Sequence, residues 1–219
     1  MIKPEVRSRI EQVGLIPAIR VTTPEHARFA AEAVNRAGIP IAEVTMTVPN
    51  ALDVIAHLAR SLPDMVVGAG TVLDLETAQR CLDAGARFLT NPGLLLDIVE
   101  FAVKKDVVVF PGALTPTEVI TAWKAGADFV KIYPCSQVGG HTYIRALKGP
   151  LRQVPLIASG GVNQATAANF IRAGASALGV GAELIPAEAI RNRREEQIHE
   201  LGRRFLAIVK DARAYMAAT

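Results

Sequence analysis

Three charged residues lie inside short apolar segments of this 219-residue chain: Arg20 in LIPAIRV, Glu43 in IAEVTM and Lys131 in DFVKIY. Alternate residues of a strand share a face. Glu43 then falls in phase with Thr45, Lys131 with Phe129 and Tyr133, and Arg20 with Ala18 and Ile16. Buried charge is costly without partners, so three such positions in otherwise apolar strands point to chemistry. Lys131 is the one lysine of seven that stands inside an apolar strand. The functional reading is a nucleophilic amine with a carboxylate beside it. Attack requires the free amine, and an ordinary lysine is free in only about one molecule in 2,500 at pH 7. The apolar lining, helped by the charge of Arg20, must therefore outweigh the pull of Glu43 toward the ammonium form. The plain alternative is an inert interior ion pair.

Glycine is the second signal. Ser159-Gly160-Gly161 follows one apolar run and Gly179-Val180-Gly181 closes another, while Gly68-Ala69-Gly70-Thr71 ends a third and offers a hydroxyl. Glycines at such places let backbone N–H groups approach an anion, with a following helix N-terminus adding positive potential. The alternative is that they only serve tight turns.

These residues need a frame, and the chain alternates short β-branched runs with longer helical patterns. Strands are predicted at 15–21, 41–46, 65–72, 86–90, 106–114, 128–133, 155–159 and 176–180. Helix starts are marked by Thr23-Pro24, by Asp74 and by the capping box Thr115-Pro116-Thr117-Glu118. The LLLDIVEFAVKK run and a segment from about Asn50 to Arg60 read as further helices. Eight strand–helix units average about 27 residues each, close to the shortest βαβ crossover. Alternation implies a parallel sheet. The first strand–helix turn, RVTTPE, lacks the glycine fingerprint of a doubly wound nucleotide fold. The expected fold class is α/β, a single-domain (β/α)8 TIM barrel over 1–219 with a C-terminal helix at about 186–216. In such a barrel, chemistry gathers at the C-terminal strand ends, and phosphate at the loops after strands seven and eight.

Composition agrees with a folded enzyme-sized chain, at 50% hydrophobic and 21% charged residues. No apolar run near the start resembles a signal peptide, and none is long enough to span a membrane. The net charge of +3 comes from residues 191–213, whose seven basic and four acidic side chains read as the solvated face of a helix buried through Ile198, Leu201, Phe205, Ile208 and Val209. Neither nucleic acid nor membrane is an expected partner. Cys81 and Cys135 have no metal-type spacing, so free thiols in a reducing cytoplasm are expected. His26, His57, His141 and His199 fall on helices or loops and form no ligand cluster, which makes them surface or packing residues and leaves no expected metal site.

Together these residues resemble the 2-keto-3-deoxy-6-phosphogluconate / 4-hydroxy-2-oxoglutarate aldolase family, class I lyases on a (β/α)8 barrel. The resemblance rests on Glu43-Val44-Thr45, Gly68-Ala69-Gly70-Thr71-Val72, Pro92-Gly93, Phe110-Pro111-Gly112, Val130-Lys131-Ile132-Tyr133-Pro134 and Ser159-Gly160-Gly161-Val162, in family order from about residue 15 to 190. It implies that Lys131 forms the Schiff base with a keto acid and that Glu43 shuttles protons. It also implies that Thr71 contacts the pyruvyl carboxylate, Pro92 shapes the pocket floor, and Tyr133 stands where phenylalanine is usual. Ser159, Gly160 and Gly161, with Gly181 and Ala182 after strand eight, would hold a distal phosphate. No metal or organic cofactor is implied, and a homotrimer is expected.

Two departures bear on substrate. The family pattern E-V-T-x-R ends in an arginine for the pyruvyl carboxylate, where this chain has Thr47, which offers no guanidinium fork; Arg20 could supply one from strand one. A phosphate-holding serine is replaced by Ala182, followed by Glu183. The phosphorylated acid, its unphosphorylated counterpart and 4-hydroxy-2-oxoglutarate all stay open as substrates. Two other functions stay open beside the lyase: a phosphate-binding barrel isomerase or epimerase, and a non-catalytic barrel that binds sugar acids.

Overall fold

A computed structural model describes residues 1–218 of the chain. Nine short strands form one parallel sheet: β1 (Leu15–Ile19), β2 (Ile41–Thr45), β3 (Val66–Gly70), β4 (Phe88–Thr90), β5 (Val108–Phe110), β6 (Gly112–Ala113), β7 (Val130–Ile132), β8 (Leu156–Ser159) and β9 (Ala175–Val180). Their order around the sheet is β5-β4-β3-β2-β1-β9-β8-β7-β6. The fifth strand, expected as one piece over 106–114, is thus observed as two, β5 and β6. Pro111 causes the break, because it has no N–H to give to a ladder. On either side of it β5 pairs with β4 while β6 pairs with β7. Asp128 N–H donates to the Val109 carbonyl and Lys131 N–H to the Pro111 carbonyl, both at 2.9 Å, which closes the ring into an eight-unit βα barrel.

Strand alternation sorts the apolar residues into two cores. Outward residues such as Ile19, Val44, Leu89 and Val109 pack against the helices. Inward residues Ile16, Ile41, Val66, Phe88, Val108, Phe110, Phe129 and Ile157 fill the barrel, with the Phe88 and Phe110 rings 5.0 Å apart. Val6 and Ile10 join this inner cluster from helix α1 (Lys3–Val13), an element the sequence reading leaves unassigned. This helix closes the N-terminal end of the barrel. Lys3 Nζ lies 3.1 Å from buried Asp128, whose carboxylate also accepts from Val109 N–H at 2.9 Å.

The helix-start signals are observed as read. Thr23 accepts from His26 N–H at the head of α2 (Pro24–Arg36), and Asp74 from Thr77 N–H at the head of α4 (Leu75–Asp83). Thr115 and Glu118 form the reciprocal capping box of α6 (Pro116–Lys124). Between them lie α3 (Ala51–Ser61) and α5 (Leu96–Lys104); α7 (His141–Lys148) and α8 (Ala167–Arg172) follow.

The expected C-terminal helix over 186–216 is instead two, α9 (Ala187–Arg191) and α10 (Glu195–Ala217). Arg193 sits in the left-handed region at φ 50°, and Arg194 N–H returns to the Ala189 carbonyl at 2.8 Å, the geometry that terminates a helix. Ile198, Phe205 and Val209 form the buried stripe of α10, and its outer charges pair locally, as in Arg204–Glu200 at 2.8 Å. Among the described residues, no helix is long and apolar enough to cross a membrane.

Candidate active site

With β5 and β6 counted as one strand, Glu43 on β2 and Lys131 on β7 lie four strand steps apart whichever way the barrel is traversed. Both point inward, and they meet across the lumen. Lys131 Nζ stands 3.4 Å from each carboxylate oxygen of Glu43, with side chains only 10% and 3% exposed. At that separation the pair is a long, weak hydrogen-bonded contact. The Tyr133 ring lies 5.7 Å from the Lys131 ammonium. Below the pair, Phe129, Phe110 and Phe88 make an apolar floor.

Two residues of β3 make room for this layer. A Cβ on Gly68 would strike the Phe88 ring. A Cβ on Gly70 would sit 2.6 Å from Glu43 Cγ and 2.7 Å from Cδ, closer still to Oε1, so the carboxylate fits only because position 70 is bare. Thr71 follows at φ 58°, a left-handed conformation that a β-branched residue rarely adopts. It faces the cavity, and Val72 N–H bonded to the Thr90 carbonyl at 3.2 Å anchors the next residue. Strain of this kind clusters at functional sites.

The cavity over the barrel mouth measures about 530 Å³. Of the residues read from sequence, Arg20, Glu43, Thr71, Pro92, Lys131, Tyr133, Ser159, Gly160, Gly161, Gly181 and Ala182 all line it. Thr47 does not: it is exposed, and its hydroxyl lies 2.7 Å from that of Thr45. Residue 47 falls two positions past the end of β2, in a turn. Arg20 lies one residue beyond β1, which ends at Ile19, and forms no hydrogen bond or ion pair among the described residues. Gly160 and Gly161 adopt φ of 85° and 81°, turning the chain so that the Gly161 and Val162 amides have no protein acceptor among the described residues.

Several lining residues escaped the sequence reading. His26, expected as a surface or packing residue, lines the cavity from the first turn of α2, as do Thr22 before it and Asn163 beyond the paired glycines. Their position in the segments just after β1 and β8 was the available signal. Arg191, read as part of a solvated basic face, also lines the cavity, together with Ile185 and Ile190. No local pattern marks these three: Ile190 and Arg191 lie on α9, which packs on α2 and α10, and Ile185 lies just before it. His57 lies on α3, His141 packs edge-on to Phe170, and His199 contacts the Arg36 carbonyl at 3.0 Å. Burial pushes the Cys81 thiol up to about 12 and Cys135 up to about 11, so neither supplies a thiolate near neutrality.

Fold and pocket together define the class: a parallel βα barrel whose chemistry-bearing side chains gather at its C-terminal mouth. The chain belongs to the KDPG and KHG aldolase family, whose model matches residues 6–201. It is 30% identical over 189 residues to the KHG/KDPG aldolase of Escherichia coli K12, covering 86% of this chain and 89% of that one. A native KDPGal structure superposes with a TM-score of 0.83 at 31% identity, covering 90% of this chain and 95% of the other. The KDPG aldolase of Legionella pneumophila, with pyruvate captured as a covalent carbinolamine intermediate, matches with a TM-score of 0.82 at 28% identity, covering 90% and 96% of the two chains.

Proposed function

We propose that this protein is a class I aldolase that cleaves a 2-keto-3-deoxy acid to pyruvate and an aldehyde, with Lys131 as the imine-forming amine. The observation that carries the reading is the interior pair: Lys131 Nζ lies 3.4 Å from both oxygens of Glu43, inside the cavity of a family barrel.

The Lys131 amine attacks C2 of the keto acid, and Glu43 receives the proton that the amine gives up. The C2 alkoxide takes a proton from solvent to become the carbinolamine hydroxyl; Glu43 then returns its own proton to that hydroxyl, which leaves as water, and a protonated imine remains. The C4 hydroxyl then loses its proton to Glu43. The C4–O electrons form the aldehyde carbonyl, the C3–C4 pair moves to form the enamine, and the iminium nitrogen accepts the displaced electrons. Protonation at C3 and hydrolysis of the imine release pyruvate and restore the amine. The imine is itself the electron sink.

Arg20 supplies the guanidinium for the pyruvyl carboxylate that Thr47 cannot, with the Thr71 hydroxyl beside it; Pro92 and Tyr133 shape the wall. The free amides at Gly161 and Val162, next to Ser159 and Gly160, suit a polar or anionic far end of the substrate. Ala182 and Glu183 weaken the case for phosphate there. We further propose a homotrimer in a reducing cytoplasm. Support comes from the exposed Leu73, Leu75, Leu96, Val103 and Ile120 on and beside α4, α5 and α6, and from two buried free thiols.

The test is borohydride reduction in the presence of pyruvate. We expect one reduced pyruvyl adduct on the Lys131 peptide. Lys131→Arg abolishes it, since a guanidinium does not give up its proton, and Glu43→Gln slows cleavage while the adduct stays detectable. An unmodified protein, under conditions that trap a control aldolase, overturns the reading in favour of a binding barrel.

A further inference from the structure

The basic side chains around α9 fall into two groups. Arg194 pairs with Glu188 at 3.1 Å, Arg36 pairs with Glu195, and Arg193 lies 5.7 Å over the Phe29 ring. These cations are occupied in holding α2, α9 and α10 together. Arg191, the last residue of α9, has no hydrogen bond or ion pair among the described residues and lines the cavity. The same cavity is lined by Ile185 and Ile190, which are apolar, and by Glu183, which carries a carboxylate. An unpartnered guanidinium facing a concave site is suited to a bidentate anion.

We infer that Arg191 reads the far end of the substrate, selecting acids that end in an anionic group over those that end in a hydroxymethyl group. This rests on the aldolase reading for the identity of the substrate, with its keto carbon at Lys131 and its first carboxylate at Arg20. Arg191 takes the part of the hydroxyl that position 182 lacks, and its charge offsets Glu183, which otherwise repels an anion at this wall. The recognised chemistry is a terminal oxyanion, carboxylate or phosphate.

The experiment uses saturated linear acids that cannot form an imine, so its result is independent of whether Lys131 is reactive. Binding of gluconate, glucarate and 6-phosphogluconate is measured by calorimetry to the wild type, R191Q, R191K and E183Q. A hydrogen-bonded charge pair at an accessible site is worth about tenfold. We expect glucarate or 6-phosphogluconate to bind the wild type at least about tenfold more tightly than gluconate, and the tighter of the two identifies the oxyanion. R191Q brings that ratio to within about twofold of unity, R191K keeps part of it, and E183Q raises it. A wild type without the preference, a ratio unchanged in R191Q, or an equal loss for all three acids overturns the assignment. The last result would mark Arg191 as part of the wall only. Failure of pyruvate trapping would instead strike the aldolase reading and leave these ratios as they are.

Discussion

Substituting Gly70 by alanine tests whether Glu43 must occupy its observed place. The residue has no left-handed backbone, so alanine is compatible with the strand, and the effect falls on the space. The added Cβ would lie 2.6 Å from Glu43 Cγ and 2.7 Å from Cδ. Carbon contacts settle near 3.5–4.0 Å, so the carboxyl group must retreat by about 1 Å. Displacements of that size at a catalytic group cost about a hundredfold in rate, or about 2.7 kcal/mol of barrier. Overpacking should also cost about 1–3 kcal/mol of stability. The assay is steady-state release of pyruvate from a keto-deoxy acid, run beside borohydride trapping on the same preparation. We expect kcat to fall about a hundredfold while the Lys131 adduct still forms. Gly68→Ala is the control: its Cβ meets the Phe88 ring instead, so it should lower the melting temperature with a smaller loss in kcat. A folded Gly70→Ala protein within threefold of wild-type kcat would refute the claim that the carboxylate's position matters to turnover.

Thr71→Gly removes a strained left-handed residue, whose conformation costs about 1–3 kcal/mol; we expect a melting temperature raised by a few degrees in scanning calorimetry together with a higher KM, and an unchanged or lower melting temperature would show that the strain is compensated locally. The Glu118 carboxyl is held below the ordinary range first by the Leu114 N–H and then by the Thr115 hydroxyl. Its contribution is therefore fully present above the unfolded value and lost as pH falls through the lower folded value. The urea-midpoint gap between wild type and Glu118→Gln should narrow as pH falls below about 4. A gap that stays constant down to pH 2.5 would contradict that linkage.

Strand phase and turn chemistry were legible along the chain because both are local. Glu43 and Lys131 announced themselves as charges on inward faces, and Thr23, Asp74 and Thr115 as helix caps. Pro111 was visible too, but its effect was not: a missing N–H splits a strand only where that N–H would have met a neighbour. The long C-terminal pattern concealed the break at Arg193, since apolar spacing resumes in phase after it. Thr47 and His26 were misplaced for a related reason. Whether a side chain just past a strand end, or in a first helical turn, faces the mouth depends on how the loop leaves the barrel.

Periodicity, caps and glycine placement alone determined that this protein is a parallel βα barrel with an amine and a carboxylate inside it. Only the closed barrel decided that those two groups, 88 residues apart, stand within reach of one another, because ring closure sets the distance between opposite strands. Closure also seats α9 at the mouth, bringing Arg191 out of a solvated charge run and into the cavity wall. Pairing and closure are relations between segments, and no stretch of chain carries them by itself.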